Sequence, residues 1–224
     1  MKAFFLDFDG VIVDSIEECF LLSKDVYYGF ANFKYDNDVY KKTFYEFRSL
    51  VNPPSEYMVL HKTIECYLKD NSIDSRLKFR DLKKEFTQNQ KNKFEYLFFQ
   101  LRKHYQQDIE NWLSLHQITD FGKTLQNKKL PNYFIVTTKN KESVQLLLKY
   151  HNIGIENIFD IENYRQFGSK GKIISDFLDN SKYKQALFID DAAENLESVN
   201  DKRIRCYFAD WGYGKNATYE NYKF

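Results

Sequence analysis

Phe4-Phe5-Leu6-Asp7-Phe8-Asp9-Gly10-Val11 is the stretch on which the fold turns. An apolar run, Lys2 to Phe8, has the length and composition of a strand buried on both faces, as in a parallel sheet. It ends by presenting two carboxylates one residue apart, followed at once by glycine. In an open α/β sheet the ligand crevice lies beyond the carboxyl ends of the strands. Alternation places Asp7 and Asp9 on one side if the strand runs on, and Gly10 permits a sharp exit. Like charges that close repel unless a proton or a cation lies between them. A hard divalent ion with oxygen ligands, such as Mg²⁺, meets that need. Read alone, the same residues also suit an ordinary strand-end turn.

Outward from this stretch the texture divides in two. Short runs rich in Ile, Val and Phe predict further buried strands at Tyr133 to Thr137, Ile158 to Ile161, Ala186 to Ile189 and Ile204 to Ala209. Helical patterns separate them: Ser143 to Tyr150, Gly171 to Leu178 and Ala193 to Val199. Strands alternating with helices predict a doubly wound, Rossmann-like parallel sheet of the α/β class. From Ser15 to about Asn111 nothing is strand-like. Helices are expected at Ile16 to Phe30, at Asp38 to Val51 ahead of the Asn52-Pro53-Pro54 breaker, and at Ser55 to Leu68. Phe94, Leu97, Phe98, Leu101 and Tyr105 follow the spacing of one helix face, and the charged stretch Arg80 to Lys93 reads as a solvated face. The expectation is an α/β core, residues 1–15 and 112–224, interrupted by an all-helical domain, residues 16–111.

Two more strand ends carry candidate chemistry. Thr137-Thr138-Lys139-Asn140 follows Phe134-Ile135-Val136; hydroxyls and backbone N–H groups at a strand-to-helix turn form an anion site, although the turn alone also reads as a plain helix cap. Asp190-Asp191 follows Ala186 to Ile189. Two adjacent acids there cannot both cap a helix, and a cation shared with Asp7 explains them better. Between these strands Ser169-Lys170-Gly171-Lys172 offers a cation to balance the acids and a transferring phosphoryl group.

Composition bounds the partners. Net charge is +1, from 33 basic and 32 acidic side chains, so the field of the whole protein favours neither nucleic acid nor an acidic membrane. The 21 Phe and 17 Tyr set against 8 Gly and 3 Pro predict long helices with few turns, the aromatic excess itself reading as compositional bias. Cys19, Cys66 and Cys206, odd in number and far apart, outline neither a disulfide framework nor a zinc site. His61, His104, His116 and His151 are scattered, and none is expected to be catalytic. No apolar stretch approaches the roughly 18 residues that span a bilayer, and Asp7 and Asp9 break the first apolar run too early for a signal peptide. A cytoplasmic protein is expected, with its oligomeric state open and a monomer allowed.

In order, Asp7-x-Asp9-Gly10, Thr137, Lys170 and Asp190-Asp191 resemble the four motifs of the haloacid dehalogenase superfamily, and FLDFDGVIVDS is similar to the opening of its capped phosphatases of the phosphoglycolate phosphatase and β-phosphoglucomutase type. The helical insertion resembles the C1 cap of that group. Asp210-Trp211-Gly212-Tyr213-Gly214 resembles a late loop of its phosphoglycolate phosphatases.

The resemblance implies a Mg²⁺-dependent phosphohydrolase of small phosphorylated metabolites. In it Asp7 is the nucleophile that forms an aspartyl-phosphate, and Asp9 the general acid and base. Thr137 binds phosphoryl oxygens and Lys170 balances charge, with Gly10 and Thr138 beside the substrate. Asp7, Asp9 through its carbonyl, and Asp191 hold the metal, with Asp190 as an additional acid. Dehalogenases and phosphonatases of the superfamily lack the second acid of the first motif, so Asp9 implies phosphate-ester chemistry. A sugar-phosphate mutase shares this acid pair and stays as an alternative, as does a non-enzymatic binding protein on the same fold. Relatives usually follow the third-motif lysine with proline; here Gly171 follows Lys170, so Lys172 remains the alternative, and Asn195 stands where many relatives carry another acid.

Overall fold

The computed structural model describes residues 1–29 and 33–214. The chain forms two compact units, Met1–Ser15 with His116–Phe224, and Ile16–Leu115. In chain order the elements are β1 (Lys2–Leu6), β2 (Val13–Asp14), α1 (Ile16–Tyr28), α2 (Asn37–Phe47), α3 (Tyr57–Lys69), α4 (Ser75–Glu85), α5 (Gln88–Tyr105) and α6 (Ile109–Ser114). They continue with β3 (Gln117–Ile118), α7 (Asp120–Leu125), β4 (Tyr133–Val136), α8 (Lys141–Tyr150), β5 (Asn157–Phe159), α9 (Ile161–Phe167), α10 (Lys170–Asn180), β6 (Gln185–Asp190), α11 (Ala193–Glu197) and β7 (Ile204–Phe208).

The first unit is built on a parallel sheet ordered β5-β4-β1-β6-β7. Strand order reverses direction at β1, which is where such sheets open a crevice for ligands. Register aligns the carboxyl ends: Leu6 lies opposite Ile135 of β4 and Ile189 of β6. Ala3, Phe5 and Leu6 are fully buried, as a strand covered on both faces requires. The Phe5 ring stacks 5.0 Å from that of Phe134 and meets Phe177 edge-on at 5.3 Å. Burying each such side chain stabilises the unit by about 1.5–3 kcal/mol. Part of the aromatic excess is thus core packing. Beyond β1 the chain turns back on itself, with Gly10 N–H donating to Val13 O, and β2 pairs antiparallel with β3. The helical insertion therefore leaves and re-enters this unit through paired neighbours.

The helical unit contains no strand among its described residues. Phe20, Tyr40, Phe44, Val59, Leu60, Ile64 and Phe98 are fully or almost fully buried in its core. Two polar assemblies lie inside it. Arg102 grips Glu18 with two hydrogen bonds, of 2.6 and 2.8 Å, and Trp112 Nε1 donates to Glu18 Oε1 at 3.0 Å, tying α1, α5 and α6. His61, fully buried, lies 2.8 Å from Tyr40 Oη through Nδ1 and 2.9 Å from Ser23 Oγ through Nε2.

Several expectations are corrected. The core resumes at His116, not at residue 112, because α6 carries Trp112 into the helical unit. The helix expected through Phe30 ends at Tyr28; Phe30 lies outside the described residues, as does the 215–224 end of the expected core. The helix expected over Asp38 to Val51 is α2 followed by a 3₁₀ turn, Arg48–Leu50, and the next one begins as a 3₁₀ turn at Pro54–Glu56. The charged stretch 80–93 spans two helices, broken where Thr87 and Gln90 form a capping box that starts α5. Leu97 of the apolar stripe is exposed; Arg102 is buried there instead, because Glu18 neutralises it. The strand expected to reach Ile161 stops at Phe159, since Asp160 caps α9. Among the described residues no helix is long and apolar enough to cross a membrane.

Candidate active site

Asp7 continues β1 by one residue, its N–H donating to Ile189 O at 2.8 Å. That bond sets Asp7 beside the end of β6, which presents Asp190, with Asp191 next in the chain. Asp7, Asp190 and Asp191 each offer an oxygen, all within 4.8 Å of one another, and all three residues are buried. Lys170, on the first turn of α10, lies 2.8 Å from both Asp7 Oδ1 and Asp190 Oδ2. Three carboxylates and one ammonium leave two formal negative charges in a buried cluster. Such a cluster is costly unless a cation joins it. The hard oxygen donors and their close spacing fit a divalent ion such as Mg²⁺.

The electrostatics agree. Burial pushes the Asp7 carboxyl well above its ordinary pKa; Lys170 pulls it down, and Asp190 and Asp191 push it further up. Burial works against charge on Lys170, yet Asp190 and Asp7 outweigh it and raise its pKa, so it stays an ammonium. Lys172, by contrast, is exposed on the same helix.

Asp190 is held by several donors. Its oxygens accept from Lys170, from Asn195 Nδ2 at 3.1 and 3.0 Å, and from the Ala192 N–H at 2.8 Å. Asn195 therefore orients this acid. Asp191 Oδ2 accepts the Tyr213 N–H at 2.6 Å. Gly10 has φ +84°, and a Cβ there would lie 2.3 Å from Asp191 Oδ2, so only glycine admits that carboxylate.

The Asp9 carboxylate is not one of the three clustered acids. Its Oδ1 accepts from Ser15 Oγ at 2.5 Å and from Lys139 Nζ at 3.1 Å. Thr137 is buried at the end of β4; its N–H donates to Phe159 O and its hydroxyl oxygen accepts the Lys139 N–H at 3.1 Å. Thr138 is half-buried beside it. Helix α8 begins at Lys141, earlier than the expected Ser143, and Asp160 takes the Lys141 N–H. Lys139, Asn195, Ser15 and Tyr213 join the site although none is among the sequence-predicted site residues. The sequence points to Asn195 and Tyr213 only through the resemblance, Asn195 where many relatives carry an acid and Tyr213 within the late loop. The signal for Lys139 is its place within the Thr137-to-Asn140 turn.

No protein-family model matches the sequence, and no curated protein does. Solved structures do. A haloacid dehalogenase-like family hydrolase from Streptococcus pneumoniae superposes with a TM-score of 0.60 at 17% identity, covering 95% of this chain and 86% of its own. A predicted phosphoglycolate phosphatase from Haemophilus somnus gives 0.60 at 15%, covering 97% and 88%. A predicted phosphatase from Clostridium acetobutylicum gives 0.55 at 16%, covering 98% and 91%. At such identities the likeness speaks of architecture. The chain has the fold of the haloacid dehalogenase-like hydrolases.

Proposed function

We propose that this protein is a Mg²⁺-dependent phosphoric monoester hydrolase that acts on a small phosphorylated metabolite through an aspartyl-phosphate at Asp7. The observation that carries the reading is the buried convergence of Asp7, Asp190 and Asp191, with Lys170 between two of them. The shared fold with phosphatases and dehalogenase-like hydrolases supports it.

A carboxylate oxygen of Asp7 attacks phosphorus, and the bond to the leaving oxygen breaks as Asp9 gives that oxygen a proton. Water then attacks the aspartyl-phosphate, delivering its proton to Asp9, and inorganic phosphate leaves. Asp7, Asp191 and the Asp9 carbonyl would hold Mg²⁺, which would supply positive charge to offset the phosphoryl oxygens. Lys170, anchored by Asp190, holds Asp7 in place and favours its charged form against the effect of burial. The Thr137 hydroxyl, whose oxygen already accepts from Lys139, has its proton to donate to a phosphoryl oxygen. Phosphoryl transfer needs positioning and charge more than covalent help, which suits this set of residues. We infer that the helical unit selects the substrate, as a cap.

The test is phosphate release from an aryl phosphate with Mg²⁺, compared with chelated enzyme and with Asp7→Asn. Turnover is expected only in the first case. Equal release by Asp7→Asn would remove Asp7 as the nucleophile.

A further inference from the structure

We propose that Tyr213 is a positioning residue that clamps the acid/base carboxylate and a metal-holding carboxylate to one another. The inference rests on the hydrolase reading above and extends it to the late loop Asp210 to Gly214, which that reading leaves without a role.

Tyr213 works through both of its polar groups. Its backbone N–H donates to Asp191 Oδ2 at 2.6 Å. Its hydroxyl accepts the Ser15 N–H at 2.8 Å and donates to Asp14 Oδ1 at 3.0 Å, so the single O–H is used in both directions. Ser15, fully buried, in turn donates its hydroxyl to Asp9 Oδ1 at 2.5 Å, while Lys139 Nζ lies 3.4 Å from the same hydroxyl. An unbroken path therefore runs from Asp191 through Tyr213 and Ser15 to Asp9. The loop itself is anchored on both sides of Gly212. Trp211 Nε1 donates to Val11 O at 3.2 Å, and its ring lies 5.3 Å from that of Phe121. A Cβ on Gly212 would sit 2.3 Å from Asp191 Cβ, so the loop lies directly against the acid. The ring of Tyr213 also borders Gly10, at 3.1 Å from where a Cβ would stand.

The two halves of the clamp separate chemically. Tyr213→Phe keeps the ring and the N–H to Asp191 but drops the hydroxyl that orients Ser15. A general acid matters for expelling a poor leaving group and hardly at all for a good one. With Mg²⁺ present, kcat/KM, which reports phosphoryl transfer to the enzyme, is compared for an alkyl phosphate and for dinitrophenyl phosphate. Tyr213→Phe is expected to lower the alkyl value about tenfold and leave the dinitrophenyl value within about twofold. Ser15→Ala is expected to give the same pattern. Mg²⁺ affinity by calorimetry, read without turnover, is expected to stay within about twofold of wild type in both variants.

Equal losses on both esters, no loss on either, or a selective loss in Tyr213→Phe that Ser15→Ala does not share would each overturn the proposal. Weakened Mg²⁺ binding in Tyr213→Phe would also overturn it, by assigning the hydroxyl to the metal site. Should wild-type enzyme with Mg²⁺ cleave neither ester, the hydrolase reading fails first and the clamp with it. That result is plainly distinct from the others.

Discussion

Lys170 Nζ lies 2.8 Å from Asp7 Oδ1, with both side chains almost wholly out of water. The pair shares its environment with Asp190, which the same ammonium reaches at 2.8 Å. Removing one partner of a buried ion pair leaves an uncompensated charge, and typically costs about 3–5 kcal/mol. Lys170→Met is expected to lose stability of that order in urea melts and to lower turnover at least about 100-fold. Lys172→Ala, on the exposed face of the same helix, is expected to shift stability by less than about 0.5 kcal/mol and to leave the rate alone. The reverse pattern would make Lys172 the catalytic lysine.

Divalent metal is expected to stabilise the fold, because Asp7, Asp190 and Asp191 converge only when β1 and β6 are paired. A ligand that binds only the folded state at a hundred times its Kd adds about 2.7 kcal/mol. Thermal melts should rise with Mg²⁺ and fall back on chelation, and Asp191→Asn should flatten the response. A wild-type melt indifferent to Mg²⁺ at millimolar levels would argue against the metal site.

Gly10→Ala tests how closely Asp191 approaches the first turn. Its φ of +84° is strained for any residue with a Cβ, and the added atom would collide with the carboxylate. The combined strain and clash should cost about 1–3 kcal/mol. Mg²⁺ affinity, followed by calorimetry, should weaken with it because Asp191 must move. Unaltered stability and affinity would mean that the turn relaxes freely.

His61 is expected to make stability pH-dependent in the helical unit. Burial, with nearby Lys24 adding to it, pushes its pKa down from 6.5 to about 3. The folded state thus keeps the imidazole neutral where the unfolded chain would protonate it. For a base with a lowered folded pKa, the stability is present above the unfolded value. It is lost as pH falls from there toward about 3. Between pH 7 and 5 this one group should remove roughly 2 kcal/mol. Denaturant unfolding at the two pH values, in wild type and in His61→Gln, measures the difference. A slope unchanged by the substitution would place the effect elsewhere.

The parallel strands and the three chemistry-bearing strand ends were legible because each is a contiguous pattern: an apolar run, then Asp7, Thr137 or Asp190 at its end. The helical character of the insertion was legible for the same reason. Its internal breaks were less so, because Thr87 and Gln90 look like surface residues until their capping bonds form. Arg102 was hidden on an apolar stripe because its burial depends on Glu18, 84 positions away. The roles of Lys139 and Asn195 were likewise hidden, because their partners Asp9 and Asp190 are met only in the folded chain.

By itself the sequence determined which segments would be strand or helix and which acids would stand at strand ends, since periodicity and end residues act over a few neighbours. Only the tertiary structure decided that Lys170 rather than Lys172 turns inward, that Asp9 faces Ser15 and Lys139, and that Tyr213 reaches Ser15 across 198 positions. Those choices depend on which side chains the folded sheet brings within hydrogen-bonding distance, and no local pattern encodes that distance.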